Sequence, residues 1–270
     1  MEWKNLYRGM IMGVTDLIPG VSGGTMAVVL GIYDRLLEAI SGFFSKEWKR
    51  HLGFLVPLGI GVVIALLALS RLIDYLLKEY FEPTQFFFIG LIIGVIPFLI
   101  RHSEAKRYFT TRHIIALIIA AVLVASMAFI KTDTSAEPIE SLTILSAIGL
   151  FLSGWLASMA MLLPGISGSF ILLLLGVYST AIRALSTLDL PFIAVIGAGV
   201  VVGFIISSKG IRYMLSHFHH MTFAVIIGLI IGSIAVVYPG VSGDIATNII
   251  SVVTFVAGLL LTLAFGAKSN

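Results

Sequence analysis

Pro-Gly-x-Ser-Gly occurs three times in this chain, at Pro19–Gly23, Pro164–Gly168 and Pro239–Gly243. A serine set among glycines can do two kinds of chemistry. It can act as a nucleophile, or its turn can cradle an anion. The first needs a base within hydrogen-bond reach. Gly20–Gly24 formally matches G-x-S-x-G, and all three copies match G-x-S-G. However, His51, His102, His113, His217, His219 and His220 all fall in expected loops or at span ends. A proline directly before the motif is also unlike a nucleophile elbow. No zinc-protease or P-loop pattern is present, and without cysteine there is no thiolate metal site. The reading is therefore a non-enzyme with no catalytic residue, metal or cofactor.

The anion chemistry is better supported. Proline lacks an N–H and fixes its φ, so it ends a helix. The glycines after it permit backbone shapes closed to other residues. A new helix then starts, presenting unpaired N–H groups and a partial positive charge. Around Gly-rich turns this suits phosphate or carboxylate. Ser22 or Thr25 can cap the first such helix, and Ser167 or Ser169 the second. The expected phosphate-binding set is Gly20, Ser22, Gly23, Gly24 and Thr25 with Gly165, Ser167, Gly168 and Ser169, lining a polar cavity. A tight turn between packed helices is the plainer alternative. The third copy reads as a surface turn, with Ser242 or Asp244 capping the last helix.

Ionisable residues within the membrane are functional candidates by default. Asp16, three residues before Pro19, is a candidate for ion coupling or gating. It could carry a proton, bind a cation, repel the wrong anion, or simply satisfy the broken backbone. Its counterpart in the second copy is Met161. Arg35 and Arg183, at the far ends of the hairpin helices, are candidate head-group contacts, with snorkelling as the alternative. Arg71 and Asp74 lie on one helix face and are expected to pair.

These residues need elements to hold them, and composition names the solvent of those elements. The chain of 270 residues is 59% hydrophobic and 11% charged, with mean hydropathy +1.08. A soluble domain carries roughly a quarter charged residues. Several apolar runs reach the ~20 residues a span needs. The net charge of +3 is a loop effect and not a nucleic-acid footprint.

The first two motif copies head an internal duplication. Residues 17–33 and 162–178 agree at eight of 17 positions, and 59–77 and 197–215 at eight of 19. Ile89–Gly94 recurs unchanged as Ile227–Gly232. The expected fold is an all-α polytopic membrane protein built of two repeats, 1–131 and 142–270. Each repeat is a broken re-entrant hairpin (about 6–40 and 142–183) followed by three spans. These are 54–77, 84–100 and 113–130, then 190–208, 221–237 and 243–266. The arm at 9–18 is too short to cross a ~30 Å core, whereas 142–162 could cross alone. An odd number of crossings per half inverts the second repeat. With the N-terminus inside, 13 of the 17 basic residues fall on the cytoplasmic side, a positive-inside bias. Inverted repeats with broken helices are a secondary-transporter plan with its site near mid-membrane.

DLIPGVSGGTMAVVLGIYDR (16–35) together with LLPGISGSFILLLLGVY (162–178) resembles the PopT-type family of bacterial membrane proteins, over essentially the whole chain. The resemblance implies a transporter of undecaprenyl or another polyprenyl phosphate. It would move this lipid from the outer to the inner leaflet of the cytoplasmic membrane for cell-wall recycling. Both termini would lie inside, and protons or sodium are candidate coupling ions. A homo-oligomer is left open. Carried over by motif, the family positions are Asp16, Pro19, Gly20, Ser22, Gly23, Gly24 and Thr25, then Pro164, Gly165, Ser167, Gly168 and Ser169. The alternative is a carrier or channel for a small soluble anion.

Overall fold

The computed structural model describes residues 1–16, 22–43, 45–130, 138–241 and 243–268. At 70, 71, 73, 74, 186 and 264–268 it describes the backbone alone. The described residues are helical, as expected. The first half runs α1 (Lys4–Asp16), α2 (Gly23–Val29), α3 (Tyr33–Ser41), α4 (Trp48–Glu79), α5 (Phe81–His102), a short α6 (Ala105–Tyr108) and α7 (Thr111–Met127). The second runs α8 (Ile144–Leu162), α9 (Gly168–Leu174), α10 (Tyr178–Thr187), α11 (Leu190–His217), α12 (His219–Val237) and α13 (Ile245–Lys268). Setting α6 aside, the two series match element for element.

Six of these helices (α4, α5, α8, α11, α12 and α13) are long and apolar enough to cross a membrane. Side chains such as Leu67, Ile144, Leu190 and Val252 are exposed. That apolar belt suits lipid and would be a liability in water. This is a multi-pass membrane protein. α7, expected as a span, has 17 residues, a little short of a full crossing. α1 has only 13 residues where α8 has 19, so the first arms differ as anticipated.

α4 and α11 run further than expected. Their helices continue through the polar segments near 78 and 209–217, leaving turns centred on Tyr80 and Phe218. Polar residues end a hydrophobic stretch but not a helix, since the backbone hydrogen bonds continue past it. The side chains of the expected Arg71–Asp74 pair, residues 131–137 of the boundary expected at 131–141, and Pro19, Gly20 and Ser242 lie outside the described residues.

Packing follows the duplication residue by residue. α1 lies along α4 and α8 along α11, while α5 lies along α13 and α12 along α7. Gly61 abuts the carbonyl of Leu6, and its repeat equivalent Gly199 abuts that of Phe151. Gly90 meets the carbonyl of Phe255, and Gly228 meets that of Leu117. These close backbone approaches are how membrane helices gain contact where no hydrophobic force favours association. The two halves thus exchange their last helices. The repeat-related pair α5 and α12 run in opposite directions. His102 meets Phe223 at one end, with ring centroids 5.4 Å apart. Phe86 meets Tyr238 at the other, at 6.0 Å.

Candidate functional site

The two helix breaks, about 140 residues apart in sequence, are bonded to each other. The N–H of Gly165 donates to Oγ1 of Thr25 at 2.8 Å. The Ser22 hydroxyl donates to the carbonyl of Leu163 at a long 3.5 Å. The Tyr33 hydroxyl donates to the carbonyl of Leu162 at 2.9 Å. Ser22 and Thr25 are only 2% and 1% exposed. Buried irregular backbone survives only when its polar groups are satisfied. Here the breaks satisfy one another, so on the Ser22–Thr25 side the expected wet cavity is replaced by direct contact.

Ser22 is the N-cap of α2 and accepts from the N–H of Gly24 at 3.1 Å. Thr25 is not a cap; it serves the other hairpin. The N–H of Gly23 donates to Oδ1 of Asp16 at 3.0 Å. Asp16 therefore satisfies the broken backbone, placing a carboxylate at the helix start while keeping an exposed face. A Cβ at Gly23 would strike that carboxylate, and one at Gly24 would press on the carbonyl of Met161.

The second break is built differently. Ser167 is the N-cap of α9 but makes no side-chain cap bond, contrary to expectation. It shares a hydrogen bond with Ser169 at 2.8 Å. Adjacent hydroxyls satisfy each other here, so capping of α9 by either side chain is not observed. Gly165 has φ +90°, and a Cβ there would run into the backbone of Leu229. Only glycine fits both demands. Gly168 is buried against Met161 and Ala157. Ser169 is exposed and Ser167 half-buried.

The two arginines lie apart from the bonded breaks. Arg35 pairs with Glu38 at 2.7 Å and with Glu2 at 3.5 Å. Arg183 donates to the carbonyl of Ile139 at 2.6 Å and sits over the Phe192 ring. Arg35 does, however, line a cavity of about 520 Å³ that also presents Asp34, Glu38, Arg212, Ser216 and His219 beside Leu37, Leu215 and Phe223. A smaller space beyond it reaches Tyr33, between Phe98, His102 and Phe223. Arg212, which the sequence reading passed over, donates to the Ser41 hydroxyl at 3.0 Å, tying α11 to α3. Its only sequence signal was a charge at a span end. At the third motif copy Asp244 caps α13, accepting from the Thr247 N–H and hydroxyl at 2.9 and 2.7 Å. Those bonds hold its carboxyl below the usual carboxylate range.

Comparisons with known proteins show the family. The Undecaprenyl phosphate translocase-like family matches residues 12–252. The chain belongs to that family. A polyprenyl-phosphate transporter of Staphylococcus aureus is 43% identical over 98% of this chain and 96% of its own length. One of Vibrio cholerae is 34% identical over 88% of this chain and 79% of its own. Both relatives are named as transporters and neither as an enzyme. No solved structure matches it.

Proposed function

We propose that the protein transports a polyprenyl phosphate, with undecaprenyl phosphate as the natural candidate. It would carry the lipid from the outer to the inner leaflet of the bacterial cytoplasmic membrane by alternating access, with both termini cytoplasmic. The phosphate would be held at the paired breaks, by Gly20, Ser22, Gly23, Gly24 and Thr25 with Gly165, Ser167, Gly168 and Ser169. The observation that carries this reading is the bond from Gly165 to Thr25. It puts two anion-suited turns, one from each hairpin, at a single place in the fold. A phosphate crossing hydrocarbon bears a desolvation cost of at least several kcal/mol. Hydroxyls and N–H groups that now bond each other could turn to it instead.

Alternation is supported by an asymmetry. α3 packs broadly on α11, through Ile211, Leu215 and the Arg212–Ser41 bond. Among the described residues, the repeat-equivalent pair α10 and α4 is not packed in this way. One side is closed, and the matching contact on the other remains to be made. On the closed side the cavity with Arg35, Arg212 and His219 would receive the released phosphate. Asp16 already occupies the anion position at α2. Its displacement by phosphate gives a route for proton or sodium coupling.

The test is reconstitution in vesicles with labelled undecaprenyl phosphate, comparing wild type with the Ser22→Ala, Ser167→Ala double variant. Leaflet exchange that is fast in wild type and lost in the folded variant supports the reading. No exchange in wild type, with proton and sodium gradients applied, rejects it in favour of a small soluble anion.

A further inference from the structure

A second cavity system lies on the other flank of hairpin one and differs in chemistry. A furrow of about 450 Å³ runs between Val14, Leu76, Tyr80, Pro83, Thr84, Ile250 and Thr254. It continues into a space of about 210 Å³ bounded by Ile11, Thr15, Met26, Leu30 and Leu261. The two share Val14, Phe87 and Phe88 as walls. Each lies in or near the ~300–1,000 Å³ usual for small-ligand clefts.

The three threonines of the lining spend their hydroxyls on backbone carbonyls. The Thr84 hydroxyl donates to the carbonyl of Leu76, and that of Thr254 to Pro83. The Thr15 hydroxyl donates to Met12 at 2.7 Å. These threonines therefore direct their hydroxyls to the backbone, and among the described residues the lining is chiefly apolar. At its inner end Thr15 and Met26 are each one residue from Asp16 and Thr25, the groups that hold the break.

The furrow is not a necessary consequence of the fold. The positions related to Thr15, Met26, Phe87 and Leu91 in the second half are Ala160, Ile171, Val225 and Leu229. There they pack together with Ala120 and Val124 into a closed cluster. The same pairs of helices leave a furrow beside one break, while the related side chains beside the other pack against one another.

We propose that this furrow seats the isoprenoid chain of the polyprenyl phosphate, its head-proximal units in the inner space against Met26, Leu30 and Leu91 and the remainder crossing Val14 and leading out past Tyr80 and Ile250. The proposal rests on the reading of the paired breaks as the phosphate site. It replaces the simplest picture, in which the whole chain stays in bulk lipid. Continuity with the break selects the occupant: a chain tethered to a phosphate there is led into this space, whereas a phospholipid tail has no such anchor.

Binding to the purified full-length protein tests it with two probes, undecaprenyl phosphate and the short, soluble geranyl phosphate. Val14→Trp fills the point where the two spaces meet. It should weaken undecaprenyl phosphate about tenfold or more, because several methylenes lose their burial, and leave geranyl phosphate within about twofold. Equal binding of the long chain by wild type and Val14→Trp overturns the furrow and leaves the phosphate site standing. Failure of wild type to bind either probe removes the phosphate reading, and the furrow with it. Should Val14→Trp not fold, a photoreactive group on the isoprenoid chain keeps the question decidable in wild type. Labelling of α1, α5 and α13, competed by undecaprenyl phosphate, supports the seat. Labelling elsewhere, or labelling that bulk phospholipid competes equally, overturns it.

Discussion

The two hairpins carry nearly the same motif and hold it in opposite ways. In hairpin one, Gly23–Val28 are buried, and α2 packs among α1, α5, α8 and α13. In hairpin two, only Gly168 of α9 is buried, and that helix leans chiefly on α8 and α10. Asp16 and Ser22 tie down the first helix start; Met161 and a mutually bonded serine pair attend the second. The contrast teaches that one local motif supports two different packings. Alternating access needs that property, because each half must in turn adopt the arrangement of the other.

The sharpest way to break the comparison is to freeze it. The native chain has no cysteine, so Ser41→Cys with Arg212→Cys can be joined by a short cleavable bis-maleimide. Joining α3 to α11 should abolish leaflet exchange in vesicles, and cleaving the linker should restore it. Undiminished exchange with the link intact would remove the alternation argument.

Next in size is the glycine contrast within hairpin two. Gly165→Val meets both positive φ and the Leu229 backbone, and should cost about 3 kcal/mol or more. Gly176 has φ +69° but faces open space, so Gly176→Ala should cost about 1 kcal/mol. Chemical unfolding in detergent micelles compares them directly. Similar costs would mean that the Gly165–Leu229 approach does not constrain the hairpin.

The serines sharpen the comparison further. Ser22→Ala removes a cap and should cost about 1–2 kcal/mol. Ser167→Ala, which removes no cap bond, should stay within about 0.5 kcal/mol. Both should slow exchange if both breaks meet the phosphate. Equal stability losses would contradict the capping difference.

Two smaller effects remain. Asp16→Asn keeps an oxygen that can accept from Gly23 but removes the charge. It should change stability by less than about 1 kcal/mol while flattening the response of exchange to pH or sodium. An unchanged response excludes Asp16 from coupling. Tyr33→Phe deletes the bond to Leu162 and should cost about 1 kcal/mol, read by the same unfolding measurement.

Much of this was legible from the residues. The Pro-Gly break stops a helix by removing an N–H, and the ~20-residue apolar runs mark spans wherever they occur. Those rules are local, so the elements and the duplication followed from the sequence. Capping was only half legible, because Ser22 and Ser167 sit in near-identical strings and yet only Ser22 caps. Likewise Arg35 looked available at a helix end but is already paired with Glu2 and Glu38.

The sequence by itself determined a multi-pass helical membrane protein with two matched halves and a polar, glycine-rich break in each. Composition and periodicity act along the chain and need no partner. Only the tertiary structure decided that Thr25 serves Gly165, that the halves exchange α7 and α13, that α3 closes on α11, and that an apolar furrow flanks one break while the related side chains beside the other pack together. Such outcomes depend on contacts between residues more than a hundred positions apart. Two copies of one motif carry the same local instructions, so only their distant neighbours can make them differ.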